Sequence, residues 1–183
     1  SGMLVLLKKR IDPRLGTIFK KYLTSNNVWD DKFFLKDDPT VGRPTLSPAA
    51  MLKASEMKLK QCPINTNDLI KKGYALGGLG RFKDAIECFD EVLVQDDYDT
   101  INADLNALHW KACALGGLGK YEDGFKCLLK AKAWMQIDPW EDDPNREEPP
   151  IAHNWRLETT IYRLKQIWNQ DYREVEVGTP IDT

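Results

Sequence analysis

Histidine is scarce in this chain: His109 and His153 are the only two among 183 residues. Imidazole acid–base catalysis therefore has few candidates. The four cysteines, Cys62, Cys88, Cys113 and Cys127, form no close pair and no CxxC, so a reduced, cytoplasmic protein is expected. His109 and Cys113 stand at i and i+4, a spacing that could offer two ligands on one helix face. No second pair completes such a site, so neither a metal nor another cofactor is expected. Long apolar runs are also missing. Met3–Leu7 is the only continuous one near the start; it is too short to cross a membrane, and it precedes Lys8, Lys9 and Arg10, the reverse of a secretory signal. Strand-like alternation is absent from most of the chain, and no nucleophile stands beside a base. A non-enzymatic, all-helical protein is the expectation. Ser1-Gly2 ahead of Met3 reads as a cloning remnant.

What the chain does contain is a repeat. AlaLeuGlyGlyLeuGly at 75–80 returns unchanged at 114–119, 39 positions later, and an aromatic residue follows each copy. Alignment sets Leu69, Gly73, Leu76, Gly80, Phe82, Ala85, Phe89 and Val92 against Leu108, Ala112, Leu115, Gly119, Tyr121, Gly124, Leu128 and Ala131. Leu69, Gly73 and Leu76 fall at i, i+4 and i+7, one face of a helix. Ala85, Phe89 and Val92 repeat that spacing for a second helix, and Gly80 and Gly119 end the first helix of each copy. The glycine cluster lacks the lysine of a phosphate-binding loop and follows a helix, so it reads as a hairpin turn. Two hairpins are expected, at about 66–96 and 105–136. Gly73 and Ala112 are the small contact positions, whereas Gly77 falls on the open side and is expected to accept alanine.

The order large, small, large, turn glycine, aromatic, small, large, small resembles the tetratricopeptide (TPR) repeat. That resemblance implies antiparallel helical hairpins stacked in a right-handed superhelix. It covers 66–139. Residues 1–65 read as a divergent helical amino-terminal cap, with one helix begun by Asp12-Pro13 and a second running from Ser47-Pro48 to about Cys62. Residues 140–150 read as an acidic, proline-rich loop. Trp155, Thr159, Tyr162 and Trp168 repeat the first-helix order, so 151–173 is expected to form a long capping helix, a partial third repeat. An extended tail, 174–183, is expected after it.

In the TPR family the first helices of successive hairpins line a groove that receives peptides. Carried onto this chain, the groove residues are Asn67, Ile70, Lys71 and Tyr74 from the first copy, and Asn106, His109, Trp110 and Cys113 from the second. His153, Arg156 and Thr160 follow from the third helix. Tyr74 and Trp110 are the strongest anchors expected on that surface, unless the amino-terminal segment covers them. The Lys and Asn pair with which some TPR domains clamp acidic chaperone tails is absent, since Ile70, Tyr74 and Trp110 stand there. A protein or peptide segment, or a second copy of the chain, is thus the expected partner of a scaffold or adaptor. Charge supplies the alternative: residues 1–65 carry 12 basic against 6 acidic groups and residues 66–183 carry 14 against 22. A basic arm of that kind can bind nucleic acid or an anionic membrane, or dock on its own acidic body. Because the basic residues are spread among apolar stripes, nucleic acid is not the expected partner.

Overall fold

The structure, a computed structural model, describes residues 12–30, 46–95, 101–136 and 154–177. Among them are seven helices and no strand: α1 (Pro13–Ser25), α2 (Pro48–Gln61), α3 (Thr66–Gly78), α4 (Phe82–Leu93), α5 (Ile101–Gly117), α6 (Tyr121–Gln136) and α7 (Trp155–Val177). Four of the seven starts have a side-chain cap. Asp12 and Ser47 cap α1 and α2, accepting from the backbone amides of Arg14 and Ala50, and a proline opens each first turn. Asn65 and Asn154 do the same for α3 and α7 through the amides of Asp68 and Leu157.

The two hairpins are α3–α4 and α5–α6, and they close alike. Gly80 and Gly119 both sit at φ 78°, the left-handed conformation that costs glycine little. The next amide reaches back to the helix, Arg81 to the Leu76 carbonyl at 2.8 Å and Lys120 to the Leu115 carbonyl at 2.9 Å. This double cap satisfies carbonyls that the helix end would otherwise leave without partners. Inside the first hairpin Leu69, Leu76, Ala85, Phe89 and Val92 are buried, and the Phe89 ring lies against the bare backbone of Gly73. Leu108, Ala112, Leu128 and Ala131 are buried in the second, where Gly124 approaches the Ala112 carbonyl. The second hairpin begins at Ile101, earlier than the expected 105.

Spatial order departs from chain order. The helices stack as α2, α3, α4, α5, α6 and then α1, with α7 against α1, α5 and α6. The first helix is therefore not a cap on the adjoining first hairpin. It lies beside α6, where the first helix of a third hairpin would stand, while among the described residues α2 caps α3. The cause is a match of shapes: Leu15, Ile18, Phe19 and Tyr22 form a buried stripe on α1. Phe19 meets Phe125 edge-on at 6.3 Å, and Gly16, Gly116 and Gly124 bring the backbones close. On α2, Ser55 is buried and turns its hydroxyl back onto the Met51 carbonyl at 2.8 Å, so a polar residue tolerates the contact.

The register expected for the last helix also needs correction. Its packing stripe is Leu157, Thr160 and Leu164, whereas Tyr162 is 62% exposed. The helix continues to Val177, past the expected start of an extended tail at 174, because no glycine or proline intervenes before Gly178. The loop at 140–150 lies outside the described residues.

Because a side chain at Gly80 or Gly119 would meet nothing within 4 Å, alanine there should cost only backbone strain. Each of Gly80→Ala and Gly119→Ala is expected to lower stability by about 1–2 kcal/mol, read from urea unfolding. A neutral effect at both would mean that the turns are not held in the left-handed form.

Candidate functional site

The face carried by α3 and α5, read from sequence as an open groove, is occupied by the chain itself. α1 ends at Ser25, and the Asn26 side-chain amide donates to the Tyr22 carbonyl at 2.9 Å. The chain then runs across the face. Val28 is buried, and the Trp29 ring lies 5.8 Å from Tyr74, 5.9 Å from Phe82 and 5.3 Å from Trp110 between centroids. Tyr74 and Trp110 meet edge-on at 4.7 Å, and the Tyr74 hydroxyl donates to the Trp29 carbonyl at 2.8 Å. Tyr74 is consequently only 8% and Trp110 only 2% exposed. The two aromatic anchors expected on an open surface are core residues.

The repeated glycines explain how the segment fits. A methyl group at Gly77 would run into the Trp29 ring, and one at the equivalent Gly116 would strike Leu23. The next glycine of each copy faces the preceding helix: Gly78 meets Pro48 at the start of α2, and Gly117 meets Phe82 at the start of α4. Every glycine of the repeated motif thus has a structural partner or a turn to make. The expectation that Gly77 accepts alanine is overturned by Trp29.

α7 covers the other side of α5. Asn154 donates through its side chain to the Asn106 side-chain oxygen at 2.7 Å while capping its own helix. The His109 Nε2 lies 3.0 Å from the Thr160 hydroxyl, which in turn lies 3.3 Å from the Tyr22 hydroxyl. This chain of polar groups ties α5, α7 and α1 together in the interior. Burial foremost, and the nearby Arg156 cation second, pull His109 from 6.5 down to about 3, so it is neutral near pH 7. Burial also pushes Tyr22 up to about 12 and Cys88 up to about 11, and raises Cys113 and Cys127. These thiols stay protonated and are poor nucleophiles.

The expected groove residues therefore fall into two groups. Asn67 and Lys71 are exposed and Ile70 half-buried on α3. Asn106, His109, Trp110, Cys113 and half-buried Arg156 are engaged or covered within the molecule. His153 lies outside the described residues, as do Lys8, Lys9 and Arg10. Beside Trp29 a cleft of about 650 Å³ remains, bounded by Leu23 to Trp29 and by Cys113, Gly116, Gly117 and Tyr121. Among the described residues no three His, Cys, Asp or Glu side chains gather as a metal would need, and no helix is long and apolar enough to cross a membrane.

Trp29 and Val28 are the residues that sequence reasoning missed. A signal for them existed in α5: from Leu105 to Ala114 Lys111 is the only charged residue, and its ammonium reaches Asp90 on α4 at 2.6 Å. A helix with so little charge is covered on more than one side, which points to a cover over Trp110.

Two outcomes follow. Gly77→Ala should destabilise the wild-type chain by about 1–3 kcal/mol through overpacking, yet stabilise a Trp29→Ala background by up to about 1 kcal/mol through helix propensity. The same sign in both backgrounds, measured by thermal unfolding, would remove Trp29 from this contact. For His109, the unfolded chain gains a proton near pH 6.5 that the folded chain refuses until about pH 3. Stability present above pH 6.5 is lost as pH falls through that window, with a slope of up to about 1.4 kcal/mol per pH unit. His109→Gln should flatten this limb in urea unfolding at about pH 7, 5 and 4. An unchanged slope would show that other groups control it.

Comparison of the chain with protein-family models, with curated proteins and with solved structures finds no match to any of the three.

Proposed function

We propose that this chain is a non-enzymatic interaction module of TPR type, its hairpins continuing in a right-handed superhelix, whose α3–α5 face captures a protein segment bearing an aromatic anchor. The observation carrying this reading is the contact with Trp29. The face already holds one tight turn of polypeptide, closed by the Asp30 amide on the Asn27 carbonyl at 3.1 Å, through an indole against Tyr74, Phe82 and Trp110 and a hydrogen bond from Tyr74 to the adjoining carbonyl. An aromatic side chain and a backbone acceptor are what a partner would present in the same place. The cleft of about 650 Å³ beside it, within the range of about 300–1,000 Å³ typical of ligand sites, gives such a segment room to continue. Asn67, Ile70 and Lys71 offer an open rim on α3. A cytoplasmic setting accords with four cysteines that are all unbridged.

On this reading residues 26–30 compete with the partner, which lowers its apparent affinity by the fraction of time the face is free. Trp29→Ala in the full chain should then bind an added peptide of residues 24–32 at least about tenfold more tightly than the wild-type chain does. The same peptide with alanine for its tryptophan should not bind. Fluorescence anisotropy of a labelled peptide reads this, with circular dichroism to confirm the fold of the variant. A folded Trp29→Ala chain that ignores the peptide would overturn the proposal. Tyr74→Ala and Trp110→Ala are not clean tests, because both remove core packing.

A further inference from the structure

A second cavity, of about 260 Å³, lies away from this face, between α1, α6 and α7. It results from uneven packing. Gly16 and Gly124 carry no side chains to hold α1 and α6 apart, so those two helices approach closely, whereas α7 rests mainly on α1 and meets α6 lightly. A gap remains where the three meet. Ile18 of α1, Phe125 and Leu128 of α6, and Ile161 and Leu164 of α7 supply its apolar walls. Charge on the lining is confined to Asp12, Lys132 and Lys165. Asp12 caps α1 and holds the Arg14 guanidinium at 2.6 Å, and that guanidinium lies over the rings of Trp168, another lining residue, and Tyr172. Lys132 is engaged within the molecule, and Lys165 is exposed to water. Internal partners or solvent thus serve all three charges.

We infer that this cavity binds a neutral, largely apolar molecule of about ten non-hydrogen atoms, enclosed by α1, α6 and α7. Volume sets the size. An apolar cavity of about 150 Å³ takes benzene, and one of about 260 Å³ holds a molecule larger in the same proportion. Hydrocarbon walls favour a ligand by the apolar area they remove from water. A charged group drawn between them would lose its hydration, and nothing would replace it, because the charges on the lining are already served. Unfilled, the walls forgo dispersion contacts that a ligand of matching size supplies. The site is independent of the α3–α5 face and of the function proposed for it.

The test titrates the full chain with hexanol, octanol, octanoate and octylamine, following by NMR the methyls of Ile18, Leu128 and Leu164, with Leu69 of the first hairpin as a control. Octanol is expected to move the three cavity methyls and leave Leu69 still, with a Kd of about 0.1–1 mM. Hexanol, shorter by two methylenes, should bind roughly tenfold more weakly. Octanoate and octylamine should each bind at least about tenfold more weakly than octanol. Ile161→Phe, which enlarges a half-buried wall residue into the cavity, should abolish the advantage of octanol over hexanol, with circular dichroism to confirm the fold. Ile161→Ala, which needs no room for a larger ring, should instead make decanol bind more tightly than octanol, which it does not in the wild-type chain. Octanoate or octylamine binding as tightly as octanol would overturn the proposal, because charge at the lining would then select the ligand. Silence of the three methyls at about millimolar octanol would also overturn it, as would chain-length preferences that neither variant changes.

Discussion

The close approach between a glycine backbone and an inserted side chain governs how this molecule is assembled. At Gly77 the insert is Trp29, at Gly116 it is Leu23, and at Gly73 it is Phe89. Each is a large group lying where even a methyl would collide, and cores filled to crystal-like density gain dispersion contacts from such fits. The first two inserts come from the amino-terminal segment. The glycine pair at equivalent places in the two hairpins therefore fixes the path of residues 23–29, and with it the fate of the face beneath. Removing either partner leaves a hole; enlarging either leaves a clash.

A polar chain does comparable work on the opposite side of α5. Tyr22, Thr160 and His109 come from three helices and hydrogen-bond in a fully buried setting, where an unpaired group would be costly. Asn154 both caps α7 and holds Asn106, so the helix start and its docking site are one feature. Such contacts fix register more sharply than apolar packing does. They account for α7 presenting Leu157, Thr160 and Leu164 inward rather than the tyrosine at 162.

The hairpins were legible in sequence because their signals are local. Leu69, Gly73 and Leu76 lie within two turns, and a turn glycine recurs at a fixed distance. The site was not. Position along a helix says which residues share a face, but whether that face meets solvent depends on segments remote in the chain. Tyr74 and Trp110 lie off the hairpin stripe and were read as exposed, yet Trp29, 45 residues from Tyr74, covers them. The placement of α1 was equally hidden, since nothing periodic links Phe19 to Phe125. The one readable hint was compositional, in the near absence of charge from Leu105 to Ala114 of α5.

The order of helices in space bears on how the chain reaches its fold. α1 leaves the ribosome before α5, α6 and α7, yet the surfaces that cover Leu15, Ile18, Phe19 and Tyr22 belong to those three later helices. The Tyr22–Thr160 contact spans 138 residues and the Lys21–Asp171 ion pair 150. Hairpins can form as they emerge, because their contacts are short-range. The amphipathic helix α1 must wait until α7 is made with its apolar stripe uncovered, a state open to misassembly and to capture by chaperones. The architecture thus leaves α1 unburied until α7 has been made, and docking of α1 reports that synthesis has passed α7.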